Sequence, residues 1–174
     1  MPNIAIDPPG VAHDATGADR AGAPADGPGR LGLALAVIAV LVAAVGATGI
    51  WARSTYGAQV SSDEPQYLLT ALSIAHDLDL DISDEIAARD HLPFHEIQLD
   101  QQTIPLGDGG QELSPHDPLL PALLALPMSA GGWVLARATL VAIAALTALT
   151  ALWVAVRRFG TDTLPASVAV GAVA

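Results

Sequence analysis

The adjacent carboxylates of Asp63 and Glu64 are the side chains best placed for chemistry. They follow a long uncharged apolar run by about ten residues. Such a pair could bind a cation or accept a proton as a general base. It could also consist of ordinary acidic residues that the helix macrodipole favours at an N-terminus. The spacing of Ser61 and Glu64 fits a capping box, and an apolar stripe from Tyr67 onward predicts a helix that ends near Asp77.

A second acidic group, Asp77, Asp79 and Asp81, alternates with apolar residues. This spacing is similar to the start of an EF-hand loop. That loop needs Gly at its sixth position and an acidic residue at its twelfth, where this chain has Ile82 and Ala88. The strict alternation therefore favours a short extended segment with a solvated edge over a calcium loop.

Two histidines four residues apart, His91 and His95, precede Glu96. Zinc sites on helices use this spacing, but Pro93 between the histidines disfavours a regular helix. Loop histidines are the favoured interpretation, and a metal site is the alternative.

His116 and Asp117 stand where the acidic region meets a Leu-rich segment. A polar pair at this depth could contact a lipid head group. A helix that begins with Pro118 in its first turn explains the pair nearly as well.

The composition is that of a membrane protein. Hydrophobic residues make up 52% of the 174 residues, charged residues only 14%, and the net charge is −11. The negative net charge argues against nucleic acid as a partner, because phosphate binding needs clustered Lys and Arg, and this chain has seven Arg and no Lys. With no Cys, the chain has neither a disulfide framework nor a thiolate site.

The apolar runs predict an all-α integral membrane protein of the polytopic kind. Two full transmembrane helices are expected, and the sequence stops inside a third, as if this were the first part of a longer protein. A large extracytoplasmic loop joins the two spans. It is expected to hold short helices, one of them capped by Ser83-Asp84-Glu85 and running to about Arg89, and possible hairpin character at Gly107–Gly110. The expected segments are a disordered cytoplasmic tail (1–30), transmembrane helix 1 (31–52), the acidic loop (53–117), an interfacial helix (118–130), transmembrane helix 2 (133–156), a cytoplasmic loop (157–163) and the start of transmembrane helix 3 (164–174).

The arginines predict the orientation. Arg20 and Arg30 precede the first span, and Arg157 and Arg158 follow the second. By the positive-inside rule the N-terminus is cytoplasmic and residues 53–132 are extracytoplasmic. The expected location is the cell (plasma) membrane, crossed several times.

These elements together resemble the N-terminal part of the C-superfamily of membrane glycosyltransferases (GT-C). That group includes protein O-mannosyltransferases and bacterial aminoarabinose transferases. The resemblance covers roughly residues 31–174 and rests on the order of several motifs around two spans. They are the outward acidic pair followed by Tyr67, His116 before Pro118-Leu119-Leu120, Ala136-Arg137 at the opening of the second span, and Arg157-Arg158-Phe159-Gly160 at its end.

The resemblance implies a transferase that moves a sugar from a polyprenyl-phosphate donor to an acceptor hydroxyl at the outer face of the membrane. It implies that Asp63 is the catalytic base, with Glu64 beside it in the site. Tyr67, His116 and Arg137 would contact substrates, and Asp63 could help hold a divalent cation (Mg or Mn). The expected partners are the lipid bilayer and the polyprenyl-phosphate-linked sugar.

Two other function classes stay open at this point. One is a non-catalytic membrane protein whose outer loop binds a cation or a partner. The other is part of a transporter, although the interiors of both full spans lack the ionisable residues that transport paths often need.

Overall fold

The computed structural model describes residues 28–54, 57–60, 62–100 and 102–174. Helices make up 65% of the described residues. The expected tail before residue 28 and the capping residue Ser61 lie outside the described residues. In chain order the elements are α1 (Pro28–Ile50), α2 (Glu64–His76), α3 (Ser83–Ala88), β1 (Ile104–Leu106), β2 (Gln111–Leu113), α4 (Leu119–Phe159) and α5 (Thr163–Val173).

Helices α1 and α4 are long and apolar enough to cross a membrane. In the most apolar 18 residues of each helix, only 11% of the residues are buried within the protein, whereas the core helix of a soluble domain would be mostly buried. Side chains such as Leu33, Val40 and Val45 of α1 are largely exposed. In a bilayer these side chains would face lipid, and every backbone group of the helix would still be satisfied.

Helix α4 contains a break at Gly131 and Gly132. Gly132 has a φ of 63°, and the helix resumes at Trp133 in a new direction. The expected interfacial helix at 118–130 and the expected span at 133–156 are thus the two arms of one element. Past the break, the stretch from Trp133 to Phe159 would extend about 40 Å, which is enough to cross a hydrocarbon core of roughly 30 Å.

The second arm of α4 packs beside α1, and α5 contacts both helices. The residues buried between the three helices form a small apolar cluster: Leu31, Ile38, Val42, Ala148, Leu152 and Ala166. The third apolar segment therefore folds back onto the first two.

A separate core lies beneath α2 and the first arm of α4. Its most buried members include Leu68 and Leu69 from α2, Leu124 from α4, and Ile82 and Phe94 from the acidic region between them. This core fixes the acidic region against α4, so the acidic region is a folded unit.

Two predictions for the acidic region are confirmed and one is wrong. Helix α3 begins at Ser83, and β1 pairs with β2 in an antiparallel hairpin around the glycine turn. The extended segment predicted for 77–82 is instead a series of turns and bends, in which only Asp81 makes a bridge, to Leu113. The alternation fails as a strand signal because the Asp79 and Asp81 carboxylates bind nearby N–H and O–H groups and stabilise turns.

Candidate functional site

Helix α2 begins immediately after Asp63, which occupies the N-cap position. The Asp63 carboxylate makes no capping hydrogen bond, although its backbone carbonyl accepts the N–H groups of Gln66 and Tyr67. The side chain is exposed to solvent. In the part of the chain that the structure describes, no group bonds to this carboxylate, so it is free to accept a proton or contact a ligand.

Glu64 has a different environment, because it forms an ion pair with Arg137 of α4. The Nε of Arg137 donates to Glu64 Oε1 at 2.7 Å, and Nη2 donates to Oε2 at 2.8 Å. The Arg137 side chain is 16% exposed and the Glu64 side chain is 34% exposed. This two-bond geometry matches the guanidinium fork to the carboxylate. Both Glu64 oxygens are therefore occupied.

Arg137 also binds the end of α1. Its Nη1 donates to the carbonyl oxygen of Ile50 at 2.7 Å, and Nη2 donates to that of Gln59 at 3.2 Å. The last carbonyls of a helix lack intrahelical donors and carry the negative end of the macrodipole, so a cation is stabilised there. Four of the five N–H groups of this guanidinium are thus engaged.

Aromatic rings surround the same junction. The guanidinium carbon of Arg137 lies 5.4 Å from the centroid of the Trp133 ring, and Trp133 makes an edge contact with Trp51 at 5.3 Å. Trp51 follows α1 and Trp133 follows the break in α4. Tryptophan and arginine at helix ends are typical of the level where a membrane meets water.

Tyr67 and His116 are stacked, with ring centroids 4.7 Å apart and an angle of 19° between the rings. This contact joins the first turn of α2 to the segment before α4. The Nε2 atom of His116 is buried and has no hydrogen-bond partner among the described residues. Asp117 accepts the N–H of Leu119, so its role is to begin α4. Pro118 is the N-cap residue of α4 and does not lie in its first turn.

A cavity of about 320 Å³ lies between α2 and α4, and we call it the carboxylate pocket. Four of the five residues predicted for the site line it, and the fifth, His116, lies behind Tyr67. The rest of the wall is mostly apolar and comes from both arms of α4. The lining residues are Ser62, Asp63, Glu64, Tyr67, Leu68, Leu120, Leu124, Ala136, Arg137 and Leu140.

A larger cavity, of about 690 Å³, lies elsewhere in the acidic region, over Arg89, His91 and Glu96. Burial lowers the pKa of His91, and positive charge on His95 and Arg89 lowers it further. This cavity holds none of the five predicted residues and does not reach α1 or α4. The carboxylate pocket is therefore the better candidate site.

The zinc alternative for His91, His95 and Glu96 receives no support from the geometry. His95 Nδ1 lies 2.7 Å from the carbonyl oxygen of Val60. Glu96 accepts the backbone N–H of Gln59 and a guanidinium N–H of Arg53, and these bonds lower the pKa of its carboxyl. These contacts fasten the segment after α1 to the folded loop.

The calcium loop considered for Asp77, Asp79 and Asp81 does not form. Asp79 accepts the Ser73 hydroxyl, and Asp81 accepts the backbone N–H groups of Ser83 and Glu112. The bond from the Glu112 N–H lowers the pKa of the Asp81 carboxyl. Asp77 instead lies close to Asp84 and Glu85, a grouping that the sequence analysis missed. The only available signal was a second acidic pair at the start of a helix.

Comparison of the chain with protein-family models, with curated proteins and with solved structures finds no match. The geometry of the carboxylate pocket is therefore the basis for any functional assignment.

Proposed function

We propose that this chain is part of a multi-pass membrane glycosyltransferase of the GT-C type, which uses a polyprenyl-phosphate sugar as donor. The observation that carries the proposal is the free carboxylate of Asp63 at a pocket that Arg137 and several leucine side chains also line. A base, a cation and an apolar surface in one cavity are what this reaction needs.

Asp63 acts on the acceptor. A sugar or protein hydroxyl is a weak nucleophile, and a positioned carboxylate lowers the barrier by taking its proton. The acceptor oxygen forms a bond to the anomeric carbon of the donor sugar while the bond from that carbon to the phosphate oxygen breaks. The proton goes to Asp63, and the polyprenyl phosphate leaves with the electron pair of the broken bond.

Arg137 and the leucines act on the donor. Nη1 of Arg137 has one N–H that no described residue accepts, and this N–H can donate to the leaving phosphate and stabilise its charge. Leu120, Leu124 and Leu140 provide apolar surface for the first units of a lipid chain. Glu64 holds the guanidinium in place and is a positioning residue, since both of its oxygens are occupied.

Tyr67 lines the pocket next to Asp63, and we assign it to sugar contact through its ring edge and hydroxyl. His116 supports it from behind by stacking on its ring face.

A divalent cation fits the described residues of this pocket poorly. Asp63 is its single carboxylate without an ion-pair partner, because the charge of Glu64 is balanced by Arg137. Mg²⁺ and Mn²⁺ need several oxygen ligands. We therefore derive no step of the reaction through a metal ion.

The test is transfer activity in membranes that contain the protein, using a panel of radiolabelled polyprenyl-phosphate sugars. For the donor that the wild type consumes, Asp63→Asn should lower the rate about 10²- to 10⁴-fold, the usual contribution of a general base. Asp108→Asn is the matched control, because Asp108 lies in the exposed turn of the hairpin. Membrane abundance of both variants should equal that of the wild type.

Undiminished transfer by Asp63→Asn would exclude Asp63 as the base. A wild-type protein that consumes none of the donors would favour the non-catalytic alternative, a membrane protein whose loop binds a cation or partner.

A further inference from the structure

A second group of carboxylates lies outside the carboxylate pocket, between the end of α2 and the start of α3. Asp77, Asp84 and Glu85 each place a carboxylate oxygen within 4.8 Å of the other two. Oxygens that bind one Ca²⁺ at 2.3–2.6 Å can lie up to about 5 Å apart. The three side chains thus already have the spacing of ligands around a single ion.

Glu85 gives an independent indication of a missing partner. Its side chain is only 2% exposed, and its Oε2 atom is buried with no hydrogen-bond partner among the described residues. A buried carboxylate without a partner is strongly unfavourable, so buried charges are normally paired or bound to a metal. Asp77 and Asp84 are exposed, which leaves one side of the group open to water.

The charged neighbours of Glu85 make its burial more unfavourable. The carboxylates of Asp84 and Asp77 lie beside that of Glu85, and like charges this close disfavour the ionised form of a buried carboxyl group. The nearest Arg in sequence, Arg89, ends α3 and lines the larger cavity. A bound cation would remove the conflict between these three carboxylates.

The backbone around the group is held in place by other bonds. The Ser73 hydroxyl lies 2.8 Å from both the Asp79 carboxylate and the carbonyl oxygen of Asp81. Asp81 in turn accepts N–H groups from Ser83 and Glu112. The turn between α2 and α3 is therefore fixed without help from the three clustered carboxylates, which are left for a ligand.

We propose that Asp77, Asp84 and Glu85 bind one calcium ion. Ca²⁺ accepts six to eight oxygens in irregular geometry, including both oxygens of a carboxylate and several waters. Mg²⁺ demands near-ideal octahedral geometry. It is a poorer match for the adjacent Asp84 and Glu85 of α3 together with Asp77 from the end of α2. With three protein ligands and an open side, we expect a Kd of about 10⁻⁴ to 10⁻³ M.

This site is separate from the carboxylate pocket and does not depend on the proposed transferase activity. Its physical effect would be to fasten the end of α2 to α3. The competing explanation is a proton shared between Glu85 and Asp84, which would satisfy the buried oxygen without any metal.

The test is equilibrium dialysis of the purified protein against radioactive ⁴⁵Ca²⁺ in a neutral detergent, at pH 7.5 and after removal of metals. The wild type should bind about one ion per chain. Ca²⁺ at about 1 mM should raise its Tm by about 1 to 6 °C, depending on where the Kd falls between about 10⁻⁴ and 10⁻³ M. Mg²⁺ at the same concentration should compete weakly.

Glu85→Gln and Asp77→Asn should each weaken Ca²⁺ binding at least tenfold and abolish the Tm increase. Glu85→Gln keeps the shape of the buried side chain and removes its charge, so the variant should fold. Asp108→Asn controls for non-specific attraction of Ca²⁺ to an acidic protein and should bind like the wild type. Absence of saturable binding, or binding that both variants leave unchanged, would overturn the proposal and favour the shared proton.

Discussion

Arg137 connects three parts of the chain that are distant in sequence. It binds Glu64, caps α1 at Ile50 and lies over the ring of Trp133. A planar guanidinium can do this because its five donors point in fixed directions, whereas the ammonium group of lysine is a point charge on a flexible stem. The residue that we assign to the donor phosphate is therefore also a structural residue, and the two roles need separate measurements.

We expect the Glu64–Arg137 pair to contribute measurable coupling to stability. Each single change, Glu64→Gln or Arg137→Gln, should lower the free energy of unfolding, since it leaves a half-buried partner without its bonds. A double-mutant cycle in mixed detergent micelles should give a coupling of about 1–2 kcal/mol, because the partial exposure of Glu64 weakens the pair relative to a buried one.

The matched comparison is Arg53 with Glu96, an ion pair of the same 2.7 Å length that is 54% and 41% exposed. Its coupling should fall below that of Glu64 and Arg137, because water and salt screen the charges of an exposed pair. Equal coupling for the two pairs would contradict the structural role assigned to Arg137.

The sequence could identify the residues of the pocket but not their partners. Asp63, Glu64 and Tyr67 stand out because charges are rare near apolar runs, and their closeness follows from helical spacing. The bond between Glu64 and Arg137 spans 73 residues, and nothing local in the sequence encodes such a contact. The group of Asp77, Asp84 and Glu85 was missed for the same reason, since it requires the turn between α2 and α3.

At the scale of elements, Gly46 of α1 lies against Val141 of α4. A Cβ atom added there would lie 2.5 Å from Cγ1 of Val141, which is too close for two carbon atoms that are not bonded to each other. Small residues at such positions let two membrane helices pack backbone against side chain. Gly46 therefore serves the contact between the helices.

Gly46→Ala should destabilise the protein by about 1–3 kcal/mol, the usual result of adding a methyl group to a packed contact. Gly49 is the control, because a Cβ atom there meets nothing within 4 Å. Gly49→Ala should be neutral or slightly stabilising. Adding Val141→Ala to Gly46→Ala should restore much of the lost stability, measured as Tm in detergent.

If Gly46→Ala and Gly49→Ala had equal Tm values, α1 and α4 would not pack as described. A lack of rescue by Val141→Ala would show that the added methyl group meets something other than Val141.

The element boundaries show where periodicity succeeds and where it fails. Length and apolar content were sufficient to predict α1 and the second arm of α4. The predicted bounds of 118–130 and 133–156 leave a gap at Gly131-Gly132, and the two arms of α4 were predicted as separate helices on either side of it. The conformation of Gly132, with φ of 63°, turns the chain within one residue, and this kind of sharp turn cannot be told from a loop by sequence pattern alone.

At the scale of the whole molecule, the chain consists of two parts, the apolar helices and the acidic region. The acidic region has its own core and contacts the first arm of α4 through α2. The carboxylate pocket lies at the boundary between the two parts, beside the end of α1 and the two tryptophans. A lipid-linked donor would have its tail on the apolar side of that boundary and its sugar on the polar side.

The transferase proposal therefore requires the acidic region to face outward, and the absence of Cys from the sequence makes this testable. Gly109→Cys lies in the exposed hairpin turn, where a side chain meets nothing within 4 Å, and Thr161→Cys lies in the exposed segment between α4 and α5. In intact cells, a membrane-impermeant maleimide should label Gly109→Cys and leave Thr161→Cys unlabelled, as the arginines in the last turn of α4 predict.

Both variants should react after the membrane is permeabilised, and the Cys-free protein sets the background. The reverse pattern in intact cells would place Asp63 on the cytoplasmic side. The pocket would then face the wrong compartment for a sugar donor used at the outer surface, and the transferase proposal would fall. The calcium proposal would survive that result, because the group formed by Asp77, Asp84 and Glu85 depends on the fold of the acidic region and not on its side of the membrane. Orientation thus separates the two proposals before any substrate is known.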